Sequence, residues 1–186
     1  KRHRSVSAVP VRQIARHRTA LVRSSLSSPI EIAIKFELLT EELTLFDYGC
    51  GRGDDIAMLT VDGFDAVGWD PFYATDGTKR PSQIVNLGYV LNVIEDPSER
   101  VSVLQDAYGY AEKILLIAAL IDGQKSRSQA KRYRDGIITQ RGTFQKFFTQ
   151  MELRELIEAS IKTEAISVGP GLFIVIRDEV EREAFL

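Results

Sequence analysis

The stretch that decides the fold is Leu43-Thr44-Leu45-Phe46-Asp47-Tyr48-Gly49-Cys50-Gly51-Arg52-Gly53-Asp54-Asp55. Its apolar start predicts a buried strand, and three glycines at alternate positions indicate a tight turn where the backbone approaches a ligand closely. An apolar pattern suited to a helix resumes at Ile56. The stretch therefore predicts a strand, a glycine loop and a helix, the first half of a nucleotide-binding crossover.

The spacing of the glycines and the charge of the loop argue against a dinucleotide. A dinucleotide fingerprint is G-x-G-x-x-G, whereas Asp54 stands where the third glycine of that pattern belongs. The carboxylates that crowd the loop belong to Asp47, Asp54 and Asp55. They would repel a pyrophosphate but suit a ligand that carries a sulfonium and an ammonium. The alternative is a glycine-rich turn whose acids only favour the positive end of a helix.

An acid, one residue and then G-x-G-x-G resembles motif I of the class I S-adenosylmethionine (SAM)-dependent methyltransferases. The resemblance implies that Asp47 and the loop backbone hold the methionine end of SAM. The loop residues concerned are Gly49, Cys50, Gly51 and Gly53. It also implies a Rossmann-like α/β fold, with a mostly parallel sheet, a C-terminal antiparallel hairpin and helices on both faces.

The second half of the crossover follows at the expected distance. Residues 65–70 read as a strand that ends in Asp70, about 20 residues past the loop, where a carboxylate can bond both ribose hydroxyls. Pro71 and Phe72 then stand where class I methyltransferases pack the adenine ring, and Leu87 is the second expected adenine contact. The alternative is that Asp70 is a surface acid before a proline turn.

Length and composition fit one domain in a reducing compartment. With 186 residues, 44% of them hydrophobic, the chain can bury a full core as a single α/β domain. Cys50 is the only cysteine, so no intrachain disulfide can form. No apolar run approaches 18 residues, which predicts a cytoplasmic protein without a membrane partner. No residue pattern predicts a metal site.

Hydrophobic periodicity predicts the remaining elements. Residues 83–91 and 113–120 read as strands, the second covered on both faces, and residues 162–168 with 172–177 read as a closing hairpin. Helices are predicted over residues 11–21, 29–39, 98–111 and 149–160.

Charge is distributed unevenly along the chain. The net charge is −2, yet no acid precedes Glu31, and seven Lys or Arg residues stand before it. We expect residues 1–10 to form a flexible basic arm, residues 11–40 to form helices covering the cofactor face, and residues 41–186 to form the SAM-binding domain. The chain is expected to be the N-terminal part of a longer protein. A basic arm on an acidic body suggests a polyanionic partner, and a solvated tail is the alternative.

A second basic segment leaves the end of the strand at 113–120. Because parallel strands point their carboxyl ends at the ligand crevice, this segment begins at the mouth of the site, where it could grip phosphates and stack a base. The alternative is a solvated helix and loop. The predicted nucleic-acid contacts are Arg16, Arg18, Arg23, Lys125, Arg127, Lys131, Arg132, Arg134 and Arg141.

The end of the strand at 83–91 carries Asn86-Leu87-Gly88-Tyr89. It stands where the N-P-P-Y motif of amino-methyltransferases would be, with both prolines replaced. Asn86 and Tyr89 are therefore candidates for positioning the substrate, with packing and turn formation as the alternative. Residues 92–97 look like the stretch in which many class I enzymes carry a His near a Glu. No His is present here, which excludes a histidine base at that place.

Four segments resemble the DNA phosphorothioation-associated putative methyltransferases: residues 17–20, 46–53, 85–97 and 141–146. The resemblance implies SAM binding, a bacterial DNA-modification and defence context, DNA as partner, and contact with other DNA-modification proteins. The expected activity is SAM-dependent methyl transfer to nucleic acid, in which alignment matters more than a strong base. A small-molecule methyltransferase and a non-catalytic SAM-binding regulator remain the alternatives.

Overall fold

The computed structural model describes residues 14–123 and 131–186. It contains nine strands in the described ranges. They are β1 (Thr44–Tyr48), β2 (Asp65–Trp69), β3 (Ser82–Gly88), β4 (Ala111–Ala118), β5 (Lys131–Tyr133), β6 (Gly136–Ile138), β7 (Phe144–Gln145), β8 (Ile166–Gly169) and β9 (Leu172–Ile176). The α-helices of the same ranges are α1 (Ser28–Lys35), α2 (Asp54–Val61), α3 (Pro97–Tyr110), α4 (Gln150–Ile161) and α5 (Glu179–Phe185).

Six strands form the main sheet in the order β2-β1-β3-β4-β9-β8. Strands β1 to β4 are parallel, whereas β9 pairs antiparallel with both β4 and β8. The predicted Rossmann-like fold with a closing hairpin is confirmed.

Alternation along the strands buries both faces of this sheet. Phe46 and Leu115 face one apolar cluster, which α3 and α4 cover with Leu104 and Leu153. Leu45 faces the opposite cluster, where residues of α1 and α2 pack. Helices therefore lie on both faces, and the glycine loop leaves the sheet at a rigid edge.

The helix predicted over residues 11–21 is wrong in its described part. Only a 3-10 turn, Arg16–Thr19, forms there, and residues 11–13 lie outside the described ranges. Tertiary bonds replace the helical ones: Ala15 N donates to Gly142 O at 3.3 Å, and Arg16 reaches the carboxylate of Glu95. The helix propensity of this segment is overridden because residues distant in the sequence bind it.

The basic segment after β4 folds into a small antiparallel sheet in the order β5-β6-β7. Its strands are two or three residues long, too short to give a hydrophobic period, so the sequence did not predict them. Asp135 anchors it by accepting two bonds from the buried Arg100, at 2.6 and 2.9 Å, and by pairing with the buried Lys146 at 3.3 Å. The Arg100 guanidinium and Lys146 hold the pKa of Asp135 at about 2.

Helix α5, which the sequence did not predict, begins after Asp178, whose carboxylate accepts from Glu181 N at 2.8 Å. None of the helices described for residues 14–123 and 131–186 is long and apolar enough to cross a bilayer.

Candidate functional site

A crevice of about 850 Å³ opens where β1, β2 and β3 end. Its floor is formed by residues from these carboxyl ends, namely Asp47, Trp69 and Gly88. In open parallel sheets, ligands bind at this edge. The volume is that of a pocket for a cofactor-sized molecule.

The glycine loop has the left-handed backbone that its composition requires. Gly49, Gly51 and Gly53 have φ values of 84°, 56° and 80°. A Cβ added at Gly49 would lie 2.5 Å from the Val90 side chain, so the loop and the chain after β3 approach each other closely. Only glycine meets both conditions at position 49.

Asp47 forms the buried acid of the crevice, with 4% of its surface exposed. Because β1 pairs with β3 in the register Asp47 to Asn86, the Asn86 amide donates to the Asp47 carboxylate at 2.8 Å. Burial and the nearby Asp55 raise the pKa of Asp47 to about 7, although the Asn86 bond opposes that shift. This carboxyl therefore lacks a full counter-charge in the structure.

Unpartnered polar atoms gather in the same crevice. Among the described residues, four buried side-chain nitrogen or oxygen atoms have no hydrogen-bond partner. Three of them belong to crevice residues: Ser27 Oγ, Asn86 Oδ1 and Asn92 Oδ1. A buried polar atom left unpaired costs about 1–3 kcal/mol, so three in one crevice indicate that a ligand supplies the partners.

Asp70 organises the turn after β2. Its Oδ1 accepts from the backbone N–H groups of Phe72 and Tyr73, both at 2.9 Å, and its Oδ2 accepts from Gly51 N at 3.1 Å. The carboxylate thus ties the second strand to the glycine loop, and lone pairs remain for a ligand on the crevice side.

Residues 14–27, which we call the strap, cross the crevice. Ser27 N donates to buried Asp55 at 2.8 Å, and Arg23 N donates to Asp54 at 2.7 Å, so both acids hold backbone. Farther along, the His17 ring stacks on Phe72 at 4.1 Å. The acids beyond the glycine loop therefore fix the strap at the crevice.

Most of the predicted cofactor residues line the crevice. They are Asp47, Gly49, Cys50, Gly51, Asp70, Pro71 and Phe72. Burial and the carboxylates of Asp47 and Asp70 raise the pKa of Cys50 to about 12, so its thiol stays protonated.

Two predicted cofactor residues lie elsewhere. Leu87 is fully buried in the core and does not line the crevice, because its side chain points to the opposite face of β3 from Asn86; its assignment as an adenine contact is wrong. Gly53 is the N-cap of α2, where it turns the chain into the helix.

The predicted positioning residues also lie at the crevice. The Asn86 amide nitrogen donates to Asp47, whereas its Oδ1 has no partner among the described residues. Tyr89 follows β3 with a φ of 61°, uncommon for a residue with a side chain, and the Arg23 guanidinium lies 5.8 Å from its ring centroid.

The predicted nucleic-acid contacts divide into bound and exposed cations. Arg16 pairs with Glu95 and Glu99, and Arg134 pairs with Asp96, so protein acids already occupy these two guanidinium groups. Arg18 donates to the Arg141 carbonyl at 3.3 Å. The side chains of Lys131, Arg132 and Arg141 are exposed. Lys125 and Arg127 lie outside the described residues.

Sequence reasoning missed three polar residues of the crevice: Ser27, Asn92 and Gln145. Asn92 Nδ2 donates to Gln145 Oε1 at 3.1 Å, joining the turn after β3 to β7. Ser27 stands at the N-cap of α1, which gives a reason to expect it near a helix start. No local sequence pattern identifies Gln145 as a crevice residue, because only the small sheet brings it to the crevice.

A scan against protein-family models found no match, and a search of curated proteins found none either. Solved structures do match. A sugar N-methyltransferase from a Streptoalloteichus species superposes with a TM-score of 0.61 at 16% identity, over 95% of this chain and 100% of the other.

Two further similar structures contain the cofactor or its product. A SAM-bound amino pentose methyltransferase from Micromonospora echinaspora gives a TM-score of 0.57 at 13% identity, over 81% of this chain and 90% of the other. Magnesium protoporphyrin IX methyltransferase from Synechocystis, with bound S-adenosylhomocysteine (SAH), gives a TM-score of 0.53 at 12% identity, over 88% of this chain and 93% of the other. The chain therefore has the Rossmann-like fold of class I SAM-dependent methyltransferases.

Proposed function

We propose that the protein binds SAM in the crevice and transfers its methyl group to an amine nitrogen of nucleic acid. One observation carries this proposal: the carboxylates of four aspartates line the crevice, and unpartnered oxygens of Ser27 and Asn86 join them. The carboxylates belong to Asp47, Asp54, Asp55 and Asp70. Such a surface complements an ammonium and a sulfonium and opposes a phosphate.

The residues present fit SAM from end to end. Asp47, with the Ser27 and Asn86 oxygens, would accept from the ammonium, and the Arg23 guanidinium can pair with the carboxylate of the methionine end. Asp70 would accept from the ribose hydroxyls, and Phe72, already stacked on His17, offers an aromatic face to the adenine. When bound, SAM supplies an electrophilic methyl group on a positively charged sulfur.

The chain's own residues would orient the acceptor and exclude water. The strap closes one side of the crevice through the backbone bonds to Asp54 and Asp55. An amine nitrogen has a lone pair once it is neutral, so its alignment with the methyl group is the main requirement and a strong base is not needed.

Nucleic acid as the acceptor is supported by the exposed cations Lys131, Arg132 and Arg141 on and beside the small sheet, whose Gln145 lines the crevice. A backbone that contacts these cations would lead an extruded base toward the site. The resemblance to the DNA phosphorothioation-associated methyltransferases favours DNA, with other DNA-modification proteins as partners.

A small-molecule acceptor is the second candidate. Arg16 and Arg134 are paired with acids of the protein itself, which removes two of the predicted phosphate contacts. Among the similar structures are enzymes named for a sugar and for a porphyrin.

Calorimetry with SAM and SAH, followed by transfer of a labelled methyl group to DNA, RNA and cell extract, tests the proposal. We expect SAM binding and label in DNA. A salt titration of DNA binding separates the two acceptors, because contact with six phosphates gives a log–log slope of about −5. A flat titration with label in a small molecule would replace DNA by the second candidate, and SAM binding without any transfer would indicate a regulator.

A further inference from the structure

We infer that Asn92 and Gln145 form a recognition edge for the acceptor, selecting a heterocycle that carries an exocyclic amine beside a ring nitrogen. Adenine and cytosine present the amine beside an unprotonated ring nitrogen on their Watson–Crick edges, whereas that ring nitrogen is protonated in guanine, and free aminoheterocycles present the same chemistry in solution. The inference rests on the proposed function, because it names the acceptor of the same crevice.

The first observation is the unsatisfied oxygen of Asn92. The residue is 2% exposed and lines the crevice, and its Oδ1 has no hydrogen-bond partner among the described residues. Its Nδ2 is already used by Gln145 Oε1 at 3.1 Å. The unpaired polar atom of Asn92 is therefore an acceptor oxygen, which suits an N–H donor on a ligand.

The second observation is the partner amide. Gln145 also lines the crevice, and its amide nitrogen carries two N–H donors beside the bonded oxygen. The pair thus offers one acceptor and one donor side by side. Exchanging O and N in both amides only swaps the two roles, so the donor–acceptor pattern does not depend on how the amides are assigned.

The pair is held on rigid supports. Lys146 N donates to the Asn92 carbonyl at 2.7 Å, and the buried Lys146 ammonium pairs with Glu152 at 2.8 Å and with Asp135. The backbone at Asn92 and next to Gln145 is therefore held by a main-chain bond and by the ion pairs of Lys146, and the two amides are bonded to each other. Such preorganisation lowers the entropy cost of recognition.

The surroundings suit a flat, uncharged ring. Apolar residues line the same crevice and offer contact surface to a heterocycle; they are Val93, Ile94, Val103 and Leu120. Asn and Gln side chains read adenine by pairing with an amine and the adjacent ring nitrogen, and a good pair of this kind discriminates by about tenfold or more. Thymine and uracil lack the exocyclic amine.

The test measures binding to protein saturated with SAH, so that only the acceptor end is free. Short single-stranded oligonucleotides of adenine, cytosine or thymine form one arm, and the free nucleosides adenosine, cytidine and thymidine form the other. We expect at least one amine-bearing probe to bind about tenfold more tightly than its thymine counterpart. Preference in the oligonucleotide arm assigns the base to a strand, and preference among nucleosides alone assigns it to a small molecule.

The variants Asn92→Leu and Gln145→Leu should each abolish this preference while SAM affinity stays within about twofold. Gln105→Leu is the matched control, because the Gln105 amide donates to Ser160 O and the residue does not line the crevice. Gln145→Leu, at a partly exposed position, keeps the test valid should Asn92→Leu fail to fold. Equal binding of all probes, or a preference that survives both variants, would overturn the inference.

A different experimental result would contradict the proposed function. Wild-type protein that binds no SAM, or that moves no methyl group to any acceptor, contradicts methyl transfer. The same oligonucleotides and nucleosides, measured against protein without SAH, would still decide whether the amide pair is a recognition edge.

Discussion

The crevice has two walls that were built in different ways. One wall, the glycine loop with Asp47 and Asp70, comes from adjacent elements of a single crossover. The other, the amide pair of Asn92 and Gln145, joins residues 53 positions apart through a sheet of two- and three-residue strands. The first wall is rich in acids and the second is neutral and polar. The contrast teaches that one fold can form the proposed cofactor side of a crevice by local geometry and the proposed acceptor side by long-range contacts.

If local backbone geometry determines the first wall, Gly49→Ala should have the largest effect on SAM affinity. A left-handed alanine costs about 1–2 kcal/mol, and its Cβ would meet Val90 at 2.5 Å. Together with overpacking of about 1–3 kcal/mol, this predicts SAM affinity between about 30-fold and roughly several thousandfold weaker by calorimetry. Gly109→Ala in α3 is the control, because nothing lies within 4 Å of that added Cβ. Unchanged SAM affinity in Gly49→Ala would contradict the role of the loop.

The acid wall should also make SAM binding depend on pH. Because the pKa of Asp47 is raised to about 7, the free protein holds a proton there below pH 7, and a cationic ligand favours the ionised form. Affinity should therefore rise about 100-fold between pH 5 and pH 8 and level off above pH 7. Calorimetry in buffers of different ionisation enthalpy checks the linked proton release.

The Asp47 carboxyl also determines how the stability of the unliganded protein changes with pH. The folded pKa exceeds the unfolded value, so the folded state binds more protons between about pH 4 and 7, and unliganded stability falls as pH rises through that window. Asp47→Asn should flatten both profiles and weaken SAM binding. A pH profile unchanged by this substitution would assign the titration to another group.

Breaking the anchor of the second wall should lower the stability of the protein and leave its SAM affinity nearly unchanged. Asp135→Asn removes the anion between Arg100 and Lys146, which we expect to cost about 2 kcal/mol and to lower Tm by roughly 4–8 °C. SAM affinity should stay within about twofold. Glu155→Gln, at an exposed position on α4, is the control. A SAM affinity that falls with Tm would show that the two walls are not independent.

Acid should weaken the same anchor. Since the Arg100 bonds hold the pKa of Asp135 at about 2, its contribution is present above about pH 4 and is lost as pH falls toward 2. The wild type should therefore lose more stability over this range than Asp135→Asn does.

The smallest of these effects is expected at Asp70, the proposed ribose partner in the first wall. Asp70→Ala removes a charged acceptor worth about 1.5–3 kcal/mol and frees Gly51 N, so SAM affinity should fall by about tenfold or somewhat more. Asp62→Ala, at the exposed C-cap of α2, is the control. Equal affinities of Asp70→Ala and wild type for SAM would leave the ribose without its predicted partner.

The sequence alone determined the crossover. A strand, alternate glycines and an acid about 20 residues later are local patterns, and each follows from backbone geometry or strand burial that a short window contains. The same reasoning predicted the helix over residues 149–160, which forms as α4 and begins at a capping box in which Thr149 accepts from Glu152 N at 3.1 Å. It failed for Leu87, because the face on which a strand residue lies depends on a one-residue register.

Only the tertiary structure decided what the basic and polar residues contact. Arg16 was predicted to face a phosphate and instead binds Glu95 and Glu99, which stand 79 and 83 residues away. Asn92 meets Gln145 because the small sheet packs beside the turn after β3, where Lys146 N donates to the Asn92 carbonyl and where Asp135 binds Arg100 of α3. Charges and amides take whichever partner the packing brings near, and that choice is fixed by long-range contacts that no local pattern records.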